Sequence, residues 1–336
     1  MTPADEAAAH VRALAGEVDA ALAALAFPSA PDDLYAPVRY VLGGGGKRVR
    51  PVLTLLAAEA FGAAREGAMP AALAVEVFHA FTLVHDDIMD HAETRRGRPT
   101  VHVRWSEPTA ILAGDLLMGL AYRLLDEARI ARAADARAAF HRMVTRLCEG
   151  QALDMAFETT PDVRLADYLG MIDGKTGALL SLSLVLGGLA GDAPDTPGGD
   201  GPANALAALD AAGRDLGRAF QIQDDLLDLT ADPETWGKPL GGDLVEGKKT
   251  FLLLAALERT TGDERTWFAR VGSGGLPPFE VDEARRRLDR LGVLDDARAA
   301  VDAYVASGLA ALDVLPPGPA ADALRTLAAS LAHRTA

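Results

Sequence analysis

Cysteine is almost missing from this chain of 336 residues: Cys148 stands alone, so no internal disulfide can form and a reducing compartment suits it. Aromatic residues are scarce at 5%, and β-branched residues are thin, which argues against a sheet-built core. Positive charge is outnumbered, with 33 Lys and Arg against 48 Asp and Glu and a formal net charge of −15. A surface this acidic repels nucleic acid and anionic lipid, so neither is an expected partner. Residues Met1 to Phe27 lack the basic start and following apolar run of a secretory leader. The most apolar stretch, Thr176 to Ala190, falls short of the roughly 20 residues that a bilayer span takes. Together these absences predict a soluble cytoplasmic protein with no stable membrane insertion.

Hydrophobic residues make up 49% of the chain, and Ala and Leu dominate them, a mix that favours helix. Leu73, Val77, Val84 and Ile88 recur at helical steps and mark one face between Ala71 and Asp90. The stretches 110–128, 136–157 and 204–229 read the same way. Breakers separate them at Gly43–Gly46, Arg96–Pro99, Gly191–Pro202 and Gly272–Pro278. No stretch alternates long enough to predict a strand. The expectation is an all-α chain of about ten or more helices, a single domain over 1–336, with 191–203 as a surface loop rather than a linker.

Two acidic motifs interrupt this apolar background, Asp86-Asp87-Ile88-Met89-Asp90 and Asp224-Asp225-Leu226-Leu227-Asp228. Burying a carboxylate costs several kcal/mol (roughly) unless a cation or donor compensates. Positions i and i+4 of a helix stand on one face, so Asp86 projects with Asp90 and Asp224 with Asp228. Such pairs suit Mg²⁺, which takes carboxylates together with water and substrate phosphate. One motif alone reads equally as a solvated face or as an acidic first turn favoured by the helix dipole. Two matching motifs point instead to a pair of helices facing one cavity.

Cations cluster nearby. Lys47, Arg48 and Arg50 follow the glycine run, and Arg95, Arg96 and Arg98 follow the first acidic motif. In so acidic a chain these are candidate anion sites. The glycine run is not a phosphate-binding P-loop, because no Ser or Thr follows Lys47. Lys175-Thr176-Gly177 is read as the start of a helix, where a lysine and a hydroxyl could meet an anion. Lys238 and Lys248 lie in glycine-rich segments after the second motif. No Ser-His-Asp set or Cys-His pair stands out as a nucleophile.

Taken in order, Gly-Gly-Lys-Arg-x-Arg-Pro, the two Asp-Asp-x-x-Asp motifs, Arg-Arg-Gly-x-Pro-Thr, Ile111–Asp115, Lys-Thr-Gly, Phe-Gln-Ile-Gln-Asp-Asp, Gly237–Asp243 and Gly247–Thr250 closely resemble the trans-isoprenyl diphosphate synthases, or polyprenyl synthetase family. The resemblance runs from about residue 35 to 255, with compatible helices in the flanks 1–34 and 256–336. It implies a helical bundle of the isoprenoid synthase type around a central cavity, a homodimer, and condensation of isopentenyl diphosphate with an allylic diphosphate. It also implies Mg²⁺, three ions, held by Asp86, Asp90 and Asp224 with Asp87, Asp225 and Asp228 supporting. Arg95, Lys175, Gln221, Lys238 and Lys248 would contact the allylic diphosphate or its reacting end. Oxygens of Thr176 and Gln221 would stabilise the cation, and Lys47, Arg50, His79 and Arg96 would hold isopentenyl diphosphate.

The residues ahead of the first motif bear on product length. Thr82 and Phe78 lie four and eight residues before Asp86, about 6 and 12 Å along a helix. Phe81, Thr82 and Phe78 are therefore candidates for the floor of a tail-binding cavity. Phe81 with Thr82, and an uninterrupted acidic motif, resemble geranylgeranyl diphosphate synthases; Phe78 is bulkier than the aliphatic residue expected there and leaves farnesyl diphosphate as the second product. A terpene cyclase and a non-catalytic regulatory subunit are the other readings.

Overall fold

Helix formation follows from the composition, and local signals set where helices begin. The computed structural model describes residues 2–193, 204–232 and 240–332, and among these it contains sixteen α-helices. Thr2 and Asp5 form a capping box at the start of α1 (Pro3–Ala23). Ser106 accepts from the Thr109 amide and opens α6 (Glu107–Glu127). The surface loop expected at 191–203 lies, from residue 194 on, outside the described residues.

By internal contacts the chain divides into two compact units, each drawn from three stretches of sequence. The first comprises residues 1–140, 182–207 and 314–327. It holds α1, α2 (Asp32–Leu42), α3 (Val49–Ala60), α4 (Arg65–Met89), a two-stranded hairpin of β1 (Thr94–Arg95) and β2 (Arg98–Pro99), α5 (Val101–Arg104) and α6. Helix α4 is its axis. It packs against α3 and α6 and is buried almost all round from Ala71 to Phe78, as its uniformly apolar sequence requires.

The second unit comprises residues 141–181, 208–313 and 328–336. It holds most of α7 (Ala133–Thr159), then α8 (Leu165–Ile172), a π-helical turn at Asp173–Gly177, the start of α9 (Ala178–Ala190), and α10 (Ala205–Thr230) from residue 208. Beyond these come α11 (Gly242–Glu246), α12 (Phe251–Arg259), α13 (Gly262–Gly274), α14 (Val281–Arg290) and α15 (Val293–Ala311), while α16 (Pro319–Ala332) closes the chain. Ile172, Ile222, Leu253, Phe268, Leu288 and Val293 belong to its buried core.

Four sequence expectations need correction. Lys175-Thr176-Gly177 does not start a helix: α8, the π turn and α9 form one helical rod from Leu165 to Ala190. Gly174 marks close approach, since a Cβ on it would lie 2.6 Å from the Arg146 carbonyl oxygen. The rod is therefore long and apolar enough, by length and composition, to cross a bilayer, as are Arg65–Met89 and Glu107–Glu127. In the rod, 78% of the apolar window is buried inside the protein, which accounts for its hydropathy without lipid. Finally, α13 continues through Gly272 and ends at Gly275, whose φ of +74° suits glycine, and the short hairpin at Thr94–Pro99 was not foreseen.

Candidate active site

In the first unit, α4 delivers the acidic motif at its C-terminal end. Asp86 and Asp87 lie in the last turn, and Asp90 is the C-cap. In the second unit, Asp224, Asp225 and Asp228 likewise occupy the last turns of α10. This excludes an acidic first turn satisfied by the helix dipole. At a C-terminus the dipole is negative, so it works against a carboxylate there and favours a nearby cation or donor.

The aspartates differ in their surroundings. Asp87 is buried and its carboxylate accepts from Arg95 Nε at 2.7 Å. Burial pushes its pKa up, and the Arg95 charge and hydrogen bond pull against that. Asp225 is buried more deeply and accepts from the Tyr168 hydroxyl at 2.7 Å, the Phe251 amide at 2.9 Å and Gln221 Nε2 at 3.3 Å. Burial first, and then the Asp243 charge, push it up to about 8 despite those donors. Asp228 is also buried and accepts from the Asp243 amide at 3.1 Å. Asp86 and Asp224 are half-buried and Asp90 is exposed.

No three His, Cys, Asp or Glu side chains form a ready-made metal cage among the described residues. The donor chemistry still fits magnesium. Mg²⁺ commonly takes one or two carboxylates and completes its shell with water and phosphate oxygen, so a protein cage is not required.

The first unit also gathers cations. The hairpin turns at Arg96 and Gly97, with φ of +53° and +70°, and so returns Arg95 and Arg96 towards α4. Arg96 donates to the Gly45 carbonyl, and a Cβ on Gly46 would lie 2.9 Å from its guanidinium. Arg50 is half-buried, its Nη1 is 3.2 Å from His79 Nε2, and its buried Nε has no acceptor among the described residues. Because arginine can only donate, His79 Nε2 must accept, which assigns its proton to Nδ1. Burial, then the charges of Arg50, Arg96, Arg95 and Arg48, hold His79 well below the ordinary histidine range. A cation with a buried, unanswered N–H beside a neutral histidine has the chemistry to suit an anion.

Not every cation of the glycine-rich segment takes part. Arg48 is buried, adopts φ +49°, and is paired with Glu76 at 2.5 Å and Asp19 at 2.8 Å. Lys47, its neighbour, is exposed. Arg98 stacks on the Tyr40 ring at 3.9 Å. A cavity of about 70 Å³ opens beside these groups, lined by Tyr40, Asp87, Arg95, Arg96, Arg98 and Thr100 among others.

Ahead of Asp86, Phe81 is half-buried, with its ring centroid 4.7 Å from His85 and 5.1 Å from Phe78. Phe78 is fully buried and meets Phe140 edge-on at 5.3 Å. Thr82 is buried and returns its hydroxyl to the His79 carbonyl at 2.9 Å.

In the second unit the π turn brings Thr176 Oγ1 within 3.0 Å of Gln221 Oε1, and Lys175 pairs with Asp154. Lys248 lies 2.7 Å from Glu246. Lys238 falls outside the described residues. The sequence reading did not single out Glu76, Asp154 or Tyr168, the partners of Arg48, Lys175 and Asp225. No local pattern marks them, since each meets its partner from another helix.

Comparison with known proteins agrees with this chemistry. A model of the polyprenyl synthetase family matches residues 31–274. Geranylgeranyl diphosphate synthase of Methanosarcina mazei is 40% identical over 324 residues, 95% of this chain and 94% of that protein. Geranylfarnesyl diphosphate synthase of Natronomonas pharaonis is 38% identical over 323 residues, 91% of each. The crystal structure of geranylgeranyl pyrophosphate synthetase from Pyrococcus horikoshii superposes with a TM-score of 0.89 at 37% identity, covering 98% of this chain and 99% of that one. With aspartates at two helix ends, a cluster of arginines beside the first, and relatives matched along almost their whole length, the chain is a prenyltransferase belonging to the polyprenyl synthetase family.

Proposed function

We propose that this chain condenses isopentenyl diphosphate with dimethylallyl, geranyl or farnesyl diphosphate, and that geranylgeranyl diphosphate is its main product. The observation that carries the reading is the position of both aspartate motifs at helix C-termini, where the helix dipole opposes carboxylates and a bound cation favours them. Asp86, Asp90 and Asp224, with Asp87, Asp225 and Asp228 supporting, would hold magnesium, three ions, which would supply charge that improves the diphosphate leaving group. Arg95, Lys175, Lys238 and Lys248 bind and orient the allylic diphosphate. Thr176 and Gln221 direct oxygen towards the developing allylic cation. Lys47, Arg50, His79 and Arg96 hold isopentenyl diphosphate so that its double bond attacks that cation. Apolar walls exclude water, which would otherwise trap the cation as an alcohol.

The half-buried ring of Phe81 supports a floor that stops growth at C20. The Natronomonas relative favours a second reading, a C25 product. Full burial of Phe78 supports a role behind Phe81 rather than as the floor itself. We read the whole chain as one polyprenyl synthetase domain acting in the cytoplasm as a homodimer. Exposed Ile111 and Leu112 on α6, at 41% and 59%, support self-association.

The test is to incubate purified protein with Mg²⁺, labelled isopentenyl diphosphate and each allylic primer, then dephosphorylate and size the products. A C20 alcohol is expected, and Phe81→Ala is expected to lengthen it. A hydrocarbon made from farnesyl diphosphate alone would overturn elongation in favour of cyclisation. A C15 or C25 product would overturn the assigned length only.

A further inference from the structure

The π turn is an unusual support for functional side chains. It widens the helix by one residue, and such turns persist where surrounding contacts hold them. Here α10 approaches the rod at backbone distance: a Cβ on Gly217 would lie 2.5 Å from Gly177 Cα, and one on Gly213 would overlap the Ser181 backbone. At the first position of the turn, Asp173 receives a two-pronged contact from Arg218, Nε at 2.6 Å and Nη2 at 2.5 Å. Arg218 is itself oriented by Asp215 at 3.5 Å and by the Tyr304 ring at 5.2 Å, and Asp215 accepts from the Ser307 hydroxyl at 2.6 Å. The next turn of α10 carries Gln221, which meets Thr176. A forked guanidinium–carboxylate pair fixes direction as well as distance, which a lysine cannot reproduce.

We propose that the Asp173–Arg218 fork is a positioning device that holds the π turn so that Lys175 and Thr176 address the allylic diphosphate. Neither residue of the fork touches substrate; both act through the two residues that follow Asp173 by two and three positions. The inference rests on the reading that Lys175 and Thr176 serve the allylic substrate. Without the fork, the turn relaxes towards ordinary α-helical winding, and Lys175 and Thr176 rotate away together.

The experiment is steady-state kinetics on Asp173→Asn, Arg218→Met and Arg218→Lys, varying each diphosphate separately and recording Tm for every variant. Asp173→Asn and Arg218→Met should lower kcat and raise the allylic KM, each by about tenfold, because small misplacements of reacting groups are costly. The KM for isopentenyl diphosphate should stay unchanged. Arg218→Lys should recover only part of the loss, and the exchange of Asp173→Arg with Arg218→Asp should recover more than either change alone. In a Thr176→Ala background, Asp173→Asn should cost less than it does alone, since only the positioning of Lys175 is left to lose. Equal movement of both KM values, losses that follow Tm, full additivity with Thr176→Ala, or unchanged kinetics would each overturn the proposal. If Arg218→Met does not fold, the nearly isosteric Asp173→Asn carries the test. Wild-type protein that elongates no allylic primer would remove the functional reading and the positioning role with it. Active wild type with unaffected variants removes the positioning role alone.

Discussion

At the scale of single residues, burial decides which charged groups remain ready to act. His79 is the clearest case, since burial and four arginine charges hold it neutral at pH values where a free imidazole would take a proton. The unfolded chain therefore binds more protons than the folded one below the ordinary histidine value of 6.5. Stability should be flat with respect to this group above that pH. Below it, stability should fall by up to about 1.4 kcal/mol per pH unit until the depressed folded pKa is reached. Denaturant titrations of wild type and His79→Asn across pH 5 to 7.5 measure the difference. A bound diphosphate supplies the missing negative charge and should raise the pKa, so binding near pH 6.5 should take up a proton, seen by calorimetry in buffers of different ionisation enthalpy. The sequence placed His79 among the anion-binding candidates by its position before Asp86. Charge and spacing alone did not separate Arg48 from Arg50; the family resemblance assigned only Arg50, and Arg48 is paired with Glu76 and Asp19 from other helices.

At the scale of elements, small residues set how closely helices approach. Gly213 and Gly217 of α10 lie against Ser181 and Gly177 of the rod, with backbone rather than flexible side chain in the way. Gly213→Ala should therefore destabilise the protein by about 1–3 kcal/mol or more, well beyond its gain in helix propensity. Gly16→Ala, in α1 with nothing near its Cβ, should be neutral or mildly stabilising in the same urea titration. The main helices were legible from apolar periodicity, as at α4, α6 and α10. The π turn was not, because Gly174 and Gly177 within an apolar run are compatible with a break, an α-helix or a widened turn. Only contact with Gly150 and Arg146 of α7 and with Gly217 of α10 selects the last. The hairpin at Thr94–Pro99 was hidden for a related reason: two-residue strands are too short to alternate.

At the scale of the whole molecule, net charge and exposed apolar surface oppose one another. A charge of −15 repels like copies at long range, while Val103, Ile111 and Leu112 leave apolar area in water. If α5 and α6 lie in a homodimer interface, Leu112→Glu should shift the protein to monomer in sedimentation velocity, and added salt should strengthen the wild-type dimer by screening. The polyprenyl synthetase family was readable from motif order, because motifs for one chemistry recur in one sequence. The division into two compact units was not, since each unit is assembled from three separated stretches and no composition change marks a boundary. The placement of both aspartate sets at the carbonyl ends of helices also has a thermodynamic consequence. Before any ligand arrives, the helix dipole opposes the carboxylates at those ends. Divalent ions with inorganic pyrophosphate should therefore tighten the last turns of α4 and α10, and amide hydrogens near Met89 and Leu229 should exchange more slowly than in metal-free protein.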